Sequence, residues 1–165
     1  MVPLYRSLAT ALCLAALLAA HILLTQPAMA SSFTGKRVAL VIGNSKYPSA
    51  PLKNPGNDAR AISKSLKDLG FEVTLRENAG QRELAAAIRQ FGSSISPGSV
   101  ALFYFAGHGM QVKGRNYLVP VDADIQVEDE VPYSAIDANL LLDKMEVGKS
   151  AINIVILDAC RNNPF

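Results

Sequence analysis

The chain has 165 residues, with 16 Lys and Arg against 14 Asp and Glu, for a formal net charge of +2. A balance so near neutral, with no basic stripe along the chain, lacks the electrostatic footprint of a nucleic-acid-binding protein. Two cysteines, one of them inside the leading apolar run, give no disulfide framework, and the length suits one domain with one core.

Residues 1–30 have the three parts of a secretory signal. Arg6 supplies the positive start, 8–24 is almost wholly apolar, and Ala28-Met29-Ala30 fits a small-x-small cleavage site. Cleavage implies export to a periplasmic or extracellular location, with no membrane span in what remains. An uncleaved leader is the alternative and would anchor the chain, since the run approaches spanning length. Cys13 lacks the small residues expected before a lipidated cysteine and is assigned no chemistry. The remainder, 31–165, is read as one domain.

The first predicted strand is 37–42, a nearly continuous apolar run of the kind buried on both faces of a sheet. A loop rich in Pro, Asn and Gly runs to Asn57. Asn57 or Asp58 can then cap a helix with Ala59, Ile62, Leu66 and Leu69 on one face and Gly70 as its stop. A second strand is expected at 71–75. Leu84, Ile88 and Phe91 make the next helical stripe, closed by Gly92, and the third strand follows at 100–105. A short hairpin arm is expected near 116–121. Ser134 and Asp137 have capping-box spacing ahead of a helix carrying Ile136, Leu140 and Met145 inward, and the fourth strand is 152–157.

Strands and helices in strict alternation predict an α/β fold, a doubly wound sheet with helices on both faces. Such sheets bind ligands at the carboxyl ends of their strands. Beyond the leader the chain keeps one histidine and one cysteine, and each stands three residues past a strand: His108 after Phe105, Cys160 after Leu157. If those strands are parallel neighbours, about 4.8 Å apart, both side chains emerge at one edge as a cysteine–histidine dyad. An ordinary thiol, with a pKa of about 8.5, is only a few per cent thiolate at neutral pH, and an adjacent imidazole can draw off its proton. Gly107 and Gly109 flank His108, leaving room for a peptide and freedom for unusual backbone angles. Other chemistries lack their residues. There is no Cys-x-x-Cys and no second histidine past the leader for a metal site, and Gly107-x-Gly109 is too short for a dinucleotide fingerprint.

The segments Gly43-Asn44-Ser45-Lys46-Tyr47, Asn57-Asp58-Ala59, Phe105-Ala106-Gly107-His108-Gly109, Tyr117-Leu118-Val119-Pro120 and Asp158-Ala159-Cys160-Arg161-Asn162 resemble the caspase-like cysteine peptidases. The likeness is greatest to bacterial relatives of the metacaspases (orthocaspases), and it spans 36–165. It implies His108 as base and Cys160 as nucleophile, with the backbone N–H groups of Gly109 and Cys160 as oxyanion donors. Animal caspases have Gln-Ala-Cys-Arg-Gly at the cysteine, so cleavage after aspartate is not implied. In the metacaspase-like enzymes the aspartates matching Asp58 and Asp158 line an acidic pocket for Arg or Lys. Their structural alternative is a helix cap and a strand-end carboxylate. Asp122, Asp124, Glu128, Asp129 and Glu130 form an acidic loop that could hold calcium, as in some of that family, but without EF-hand spacing it reads as solvated surface, and no cofactor is expected.

Family members continue past the cysteine into further strands, so the sequence reads as a fragment or truncated product, ending after the fourth core strand. Its last strand would be an exposed edge prone to self-association. The expected activity is a cysteine endopeptidase acting on peptide or protein substrates. The alternative is a non-catalytic caspase-like interaction module.

Overall fold

The computed structural model describes residues 35–160. The leader expectation lies outside the described residues, as do Arg161 and Asn162. In chain order the elements are β1 (Arg37–Gly43), α1 (Pro55–Asp68), β2 (Glu72–Glu77), α2 (Gln81–Ser94), β3 (Val100–Ala106), β4 (Gly109–Val112), β5 (Arg115–Leu118), α3 (Val131–Ser134), β6 (Ile136–Asp137), α4 (Asn139–Val147) and β7 (Ile152–Asp158).

β1, β2, β3 and β7 form a parallel sheet in the order β2-β1-β3-β7. Its two central strands, β1 and β3, are buried almost throughout, which is why they read as unbroken apolar runs rather than alternating ones. Their side chains still alternate between faces. Leu40, Ile42, Phe103 and Phe105 pack with Leu84, Ile88 and Phe91 of α2 and with Leu141 and Met145 of α4. Val41, Leu102 and Tyr104 pack on the opposite face with Ala59 and Leu66 of α1. Helices on both faces make this the expected doubly wound α/β class. Burying a side chain such as Phe103 or Phe105, each fully covered, stabilises the fold by roughly 1.5–3 kcal/mol.

The chain leaves β1 toward β2 on one face and returns from β2 to β3 on the other. The connections therefore diverge at the carboxyl ends of β1 and β3, where such sheets open a crevice. Gly43 closes β1 against the first turn of α1: a Cβ there would lie 2.5 Å from the Pro55 carbonyl oxygen and 2.6 Å from the Ala59 Cβ. That contact seats the start of α1, and with it Asp58, beside the crevice.

Several boundaries differ from the sequence expectation. α1 starts at Pro55, with Asn54 at the position before it but making no side-chain cap hydrogen bond, because the fixed φ of proline suits the first helical position. Asn57 and Asp58 thus sit in the first turn rather than at the cap, and the Asp58 N–H donates to the Asn54 carbonyl. Leu69 is not on the inner face; it follows the helix and is 63% exposed. α2 runs through Gly92 to Ser94, and Gly92 lies against the side chain of Lys144 on α4, a close approach rather than a stop. The hairpin arm is β4–β5, reversing at Lys113 and Gly114, both at positive φ. No helix starts at the Ser134–Asp137 spacing. Ile136 and Asp137 instead pair with β5, and the following helix turns Leu141 and Met145 inward while Leu140 is 37% exposed.

β7 has β3 as its only neighbour within the described sheet, and Ile152 and Ile156 are exposed along it. Among the described residues no helix is long and apolar enough to cross a membrane.

Candidate active site

β3 pairs with β7 in a register that sets Ala106 opposite Asp158. His108 and Cys160 each follow that matched pair by two residues, so the equal offsets seen in the sequence bring both to one edge of the sheet. The Gly107 N–H donates to the Asp158 carbonyl at 3.3 Å and ties the two departing segments together. His108 is half-buried and Cys160 is an exposed free thiol. Both line each of two clefts, of about 580 and 560 Å³, that flank them.

The histidine is held from three sides. Its backbone N–H donates to the Tyr47 hydroxyl at 2.9 Å, its carbonyl accepts from the Val119 N–H at 3.0 Å, and its Nε2 lies 2.7 Å from the Ala50 carbonyl oxygen. A carbonyl only accepts, so that contact puts the proton on Nε2 and leaves the lone pair on Nδ1. The Tyr47 ring also lies against the imidazole, with centroids 4.4 Å apart and planes tilted by 58°.

Tyr47 is itself anchored, donating its hydroxyl to the Val119 carbonyl at 3.0 Å. Burial pushes its phenol up to about 12, against smaller lowering contributions from the His108 backbone hydrogen bond and from Asn44. Asn44, fully buried, donates to the carbonyls of Ala79 and Val119 and accepts from the Ala79 N–H. Asn78 accepts from the backbone of Ser45 and Lys46, and Leu52 N–H donates to Ser45 carbonyl, fixing the loop that carries Ala50.

Gly107 and Gly109 do not serve the unusual angles expected of them, since neither has a positive φ. Their role is close packing. A Cβ on Gly107 would lie 2.6 Å from the Tyr47 hydroxyl, and one on Gly109 would lie 3.0 Å from the Cys160 carbonyl oxygen. The Gly109 backbone thus lies close against the carbonyl of Cys160.

Asp58 and Asp158 converge on the smaller cleft, beside Cys160. Tyr104 registers both. Its hydroxyl donates to an Asp158 carboxylate oxygen at 3.3 Å, and its phenol is pushed up to about 12, chiefly by burial and then by the charges of Asp158 and Asp58. The aspartates are more open than a buried charge pocket: Asp58 is half-buried and Asp158 exposed. Lys53 lines the same cleft, so its formal charge is less negative than two carboxylates alone would make it.

The acidic loop is occupied with local structure. Asp122 caps α2 by accepting from the Gln81 N–H at 2.7 Å, Asp124 accepts from the Gln126 side chain, and Glu130 accepts from the Gln126 and Val127 N–H groups. Among the described residues no group of three or more His, Cys, Asp or Glu side chains is placed to hold a metal ion.

Sequence reasoning singled out neither Tyr47 nor Ala50. Tyr47 stood inside a quoted motif, where an aromatic residue just past a strand end was a usable cue. The Ala50 contribution is a backbone carbonyl, which no side-chain pattern reports.

Residues 36–165 match the family model described as Caspase domain. The human protein named mucosa-associated lymphoid tissue lymphoma translocation protein 1 is 32% identical over 126 residues, covering 76% of this chain and 15% of that protein. Its mouse homologue aligns with the same identity and coverage. The chain thus corresponds to a small part of the curated relatives it matches. Among solved structures, protein GSU0716 from Geobacter sulfurreducens superposes with a TM-score of 0.57 at 20% identity, over 76% of this chain and 50% of that one, a likeness of fold.

Proposed function

The chain belongs to the caspase-domain family of cysteine peptidases, and we propose that residues 31–165 form an exported endopeptidase domain that uses a His108–Cys160 dyad and cleaves after Arg or Lys. The observation that carries the reading is the matched register of β3 and β7, with His108 and Cys160 at one edge lining the same clefts.

In this reading Nδ1 of His108 takes the Cys160 thiol proton, because Nε2 is committed to the Ala50 carbonyl. The thiolate attacks the scissile carbonyl carbon, and the oxyanion is met by backbone N–H groups of Gly109 and Cys160. The imidazolium then gives its proton to the leaving amine as the C–N bond breaks. The remaining thioester is hydrolysed by water that His108 deprotonates, which restores the thiol and the neutral ring. Tyr47 acts as a positioning residue, since it holds both the backbone and the ring face of His108.

The preference for a basic residue before the scissile bond rests on Asp58 and Asp158 in the cleft beside the thiol. A guanidinium can bond both carboxylates in its plane, so Arg should exceed Lys. Hydrolysis of fluorogenic peptides ending in Arg, Lys or Asp tests the assignment. The expected result is Arg above Lys, with Asp inert and all activity lost in Cys160→Ala. Preference for Asp, or activity surviving Cys160→Ala, overturns it.

A further inference from the structure

The dyad has two clefts, and the acidic one accounts for the residue before the scissile bond. The other, of about 580 Å³, falls within the ~300–1,000 Å³ range typical of small-ligand sites. Its walls are mainly apolar: Pro48, Ala50, Met110, Val119, Ala123 and Ile125, converging on His108 and Cys160. Both clefts meet at His108 and Cys160, so a peptide lying across the thiol with its basic side chain in the acidic cleft can carry its leaving half into this second cleft. His108, which lines both, is the group that protonates the departing amine.

We infer that the larger cleft is the seat of the side chain that follows the scissile bond and that it selects a sizeable apolar residue there. This rests on the endopeptidase reading of the acidic cleft and adds a second specificity element to it. Met110 and Ile125 are half-buried in the free protein, so an incoming Leu or Phe covers apolar surface that is otherwise wet. Met110 also has the unbranched flexibility to fit more than one side-chain shape. Asp124 stands on the rim and sets a negative charge against an acidic residue at that position.

The test uses the full 165-residue Cys160→Ala chain, so that binding is read without turnover. Fluorescent peptides are identical except after the Arg: Leu, Phe, Gly or Asp. Burying one such side chain predicts Leu and Phe binding about tenfold more tightly than Gly, with Asp weakest. Ile125→Ala in the same background should shrink the Leu-to-Gly ratio by about threefold or more. Equal or undetectable binding across the series overturns the inference, as does an apolar preference that appears only when residues before the Arg are varied. If the ratio holds while the wild-type chain hydrolyses none of the peptides, the peptidase reading fails and the apolar seat stands.

Discussion

Asp158→Asn removes one charge from the acidic cleft while keeping the side-chain shape. Its effect can be read on Tyr104 without any substrate. The Tyr104 phenol stands at about 12 against an ordinary 10.0, with burial the largest cause, followed by the charges of Asp158 and Asp58 and the hydrogen bond to Asp158. Neutralising Asp158 should therefore lower the Tyr104 value while leaving it above 10.0, because burial remains. The folded state holds this phenolic proton more tightly than the unfolded chain, so its contribution is complete below pH 10.0 and is lost as pH rises through about 12. The variant should lose it at lower pH. On substrate, a hydrogen bond to a charged group contributes roughly 1.5–3 kcal/mol, or about ten- to a hundredfold in rate. Because Asp158 is exposed and Lys53 shares the cleft, the lower end, near tenfold in kcat/KM for Arg peptides, is expected. Phenolate absorbance titration, with Tyr104→Phe as the subtraction control, measures the first effect, and peptide kinetics the second. An unmoved Tyr104 titration would refute the placement of Asp158 against that phenol, and unchanged Arg kinetics would return Asp158 to a strand-end carboxylate.

Tyr47→Phe leaves the His108 N–H and the Val119 carbonyl without their shared hydroxyl. It should lower kcat by about tenfold with little change in KM, whereas equal losses of stability and activity would indicate packing alone. Gly43→Ala forces a Cβ against the Pro55 carbonyl and should destabilise the fold by roughly 1–3 kcal/mol in chemical denaturation, with no loss expected only if α1 can shift freely. Self-association through β7 should appear as a concentration-dependent rise in light scattering that Ile152→Lys and Ile156→Lys suppress, and scattering indifferent to both changes would locate the contact elsewhere.

The two central strands were legible because burial on both faces leaves a short, unbroken apolar run, as at 37–42 and 100–105. The placing of His108 and Cys160 at one edge of the sheet was legible because parallel pairing converts equal offsets in sequence into proximity in space. What escaped was set by tertiary contact. Ile136 has helix-compatible spacing but pairs with β5. Gly107 and Gly109 suggest, from sequence, room for a peptide and backbone freedom, while the crowding by Tyr47 and the Cys160 backbone belongs to neighbours remote in sequence. The start of α1 has its sequence signature in Asn54-Pro55, a proline at the first helical position, while Asn57-Asp58 offers an equally polar start three residues on. The openness of the acidic cleft, and Lys53 in it, depend on how loops lie and have no sequence signature.

The central claim is that Cys160 is a nucleophile made competent by His108. An Arg-terminated peptidyl ketone with a carboxylate leaving group, followed by intact and peptide-level mass spectrometry, tests it most directly. The account predicts one stoichiometric thioether on Cys160, blocked by excess Arg peptide substrate and slowed at least tenfold in His108→Ala. Labelling of Cys160 at the rate of a free thiol, indifferent both to substrate and to His108→Ala, would contradict it.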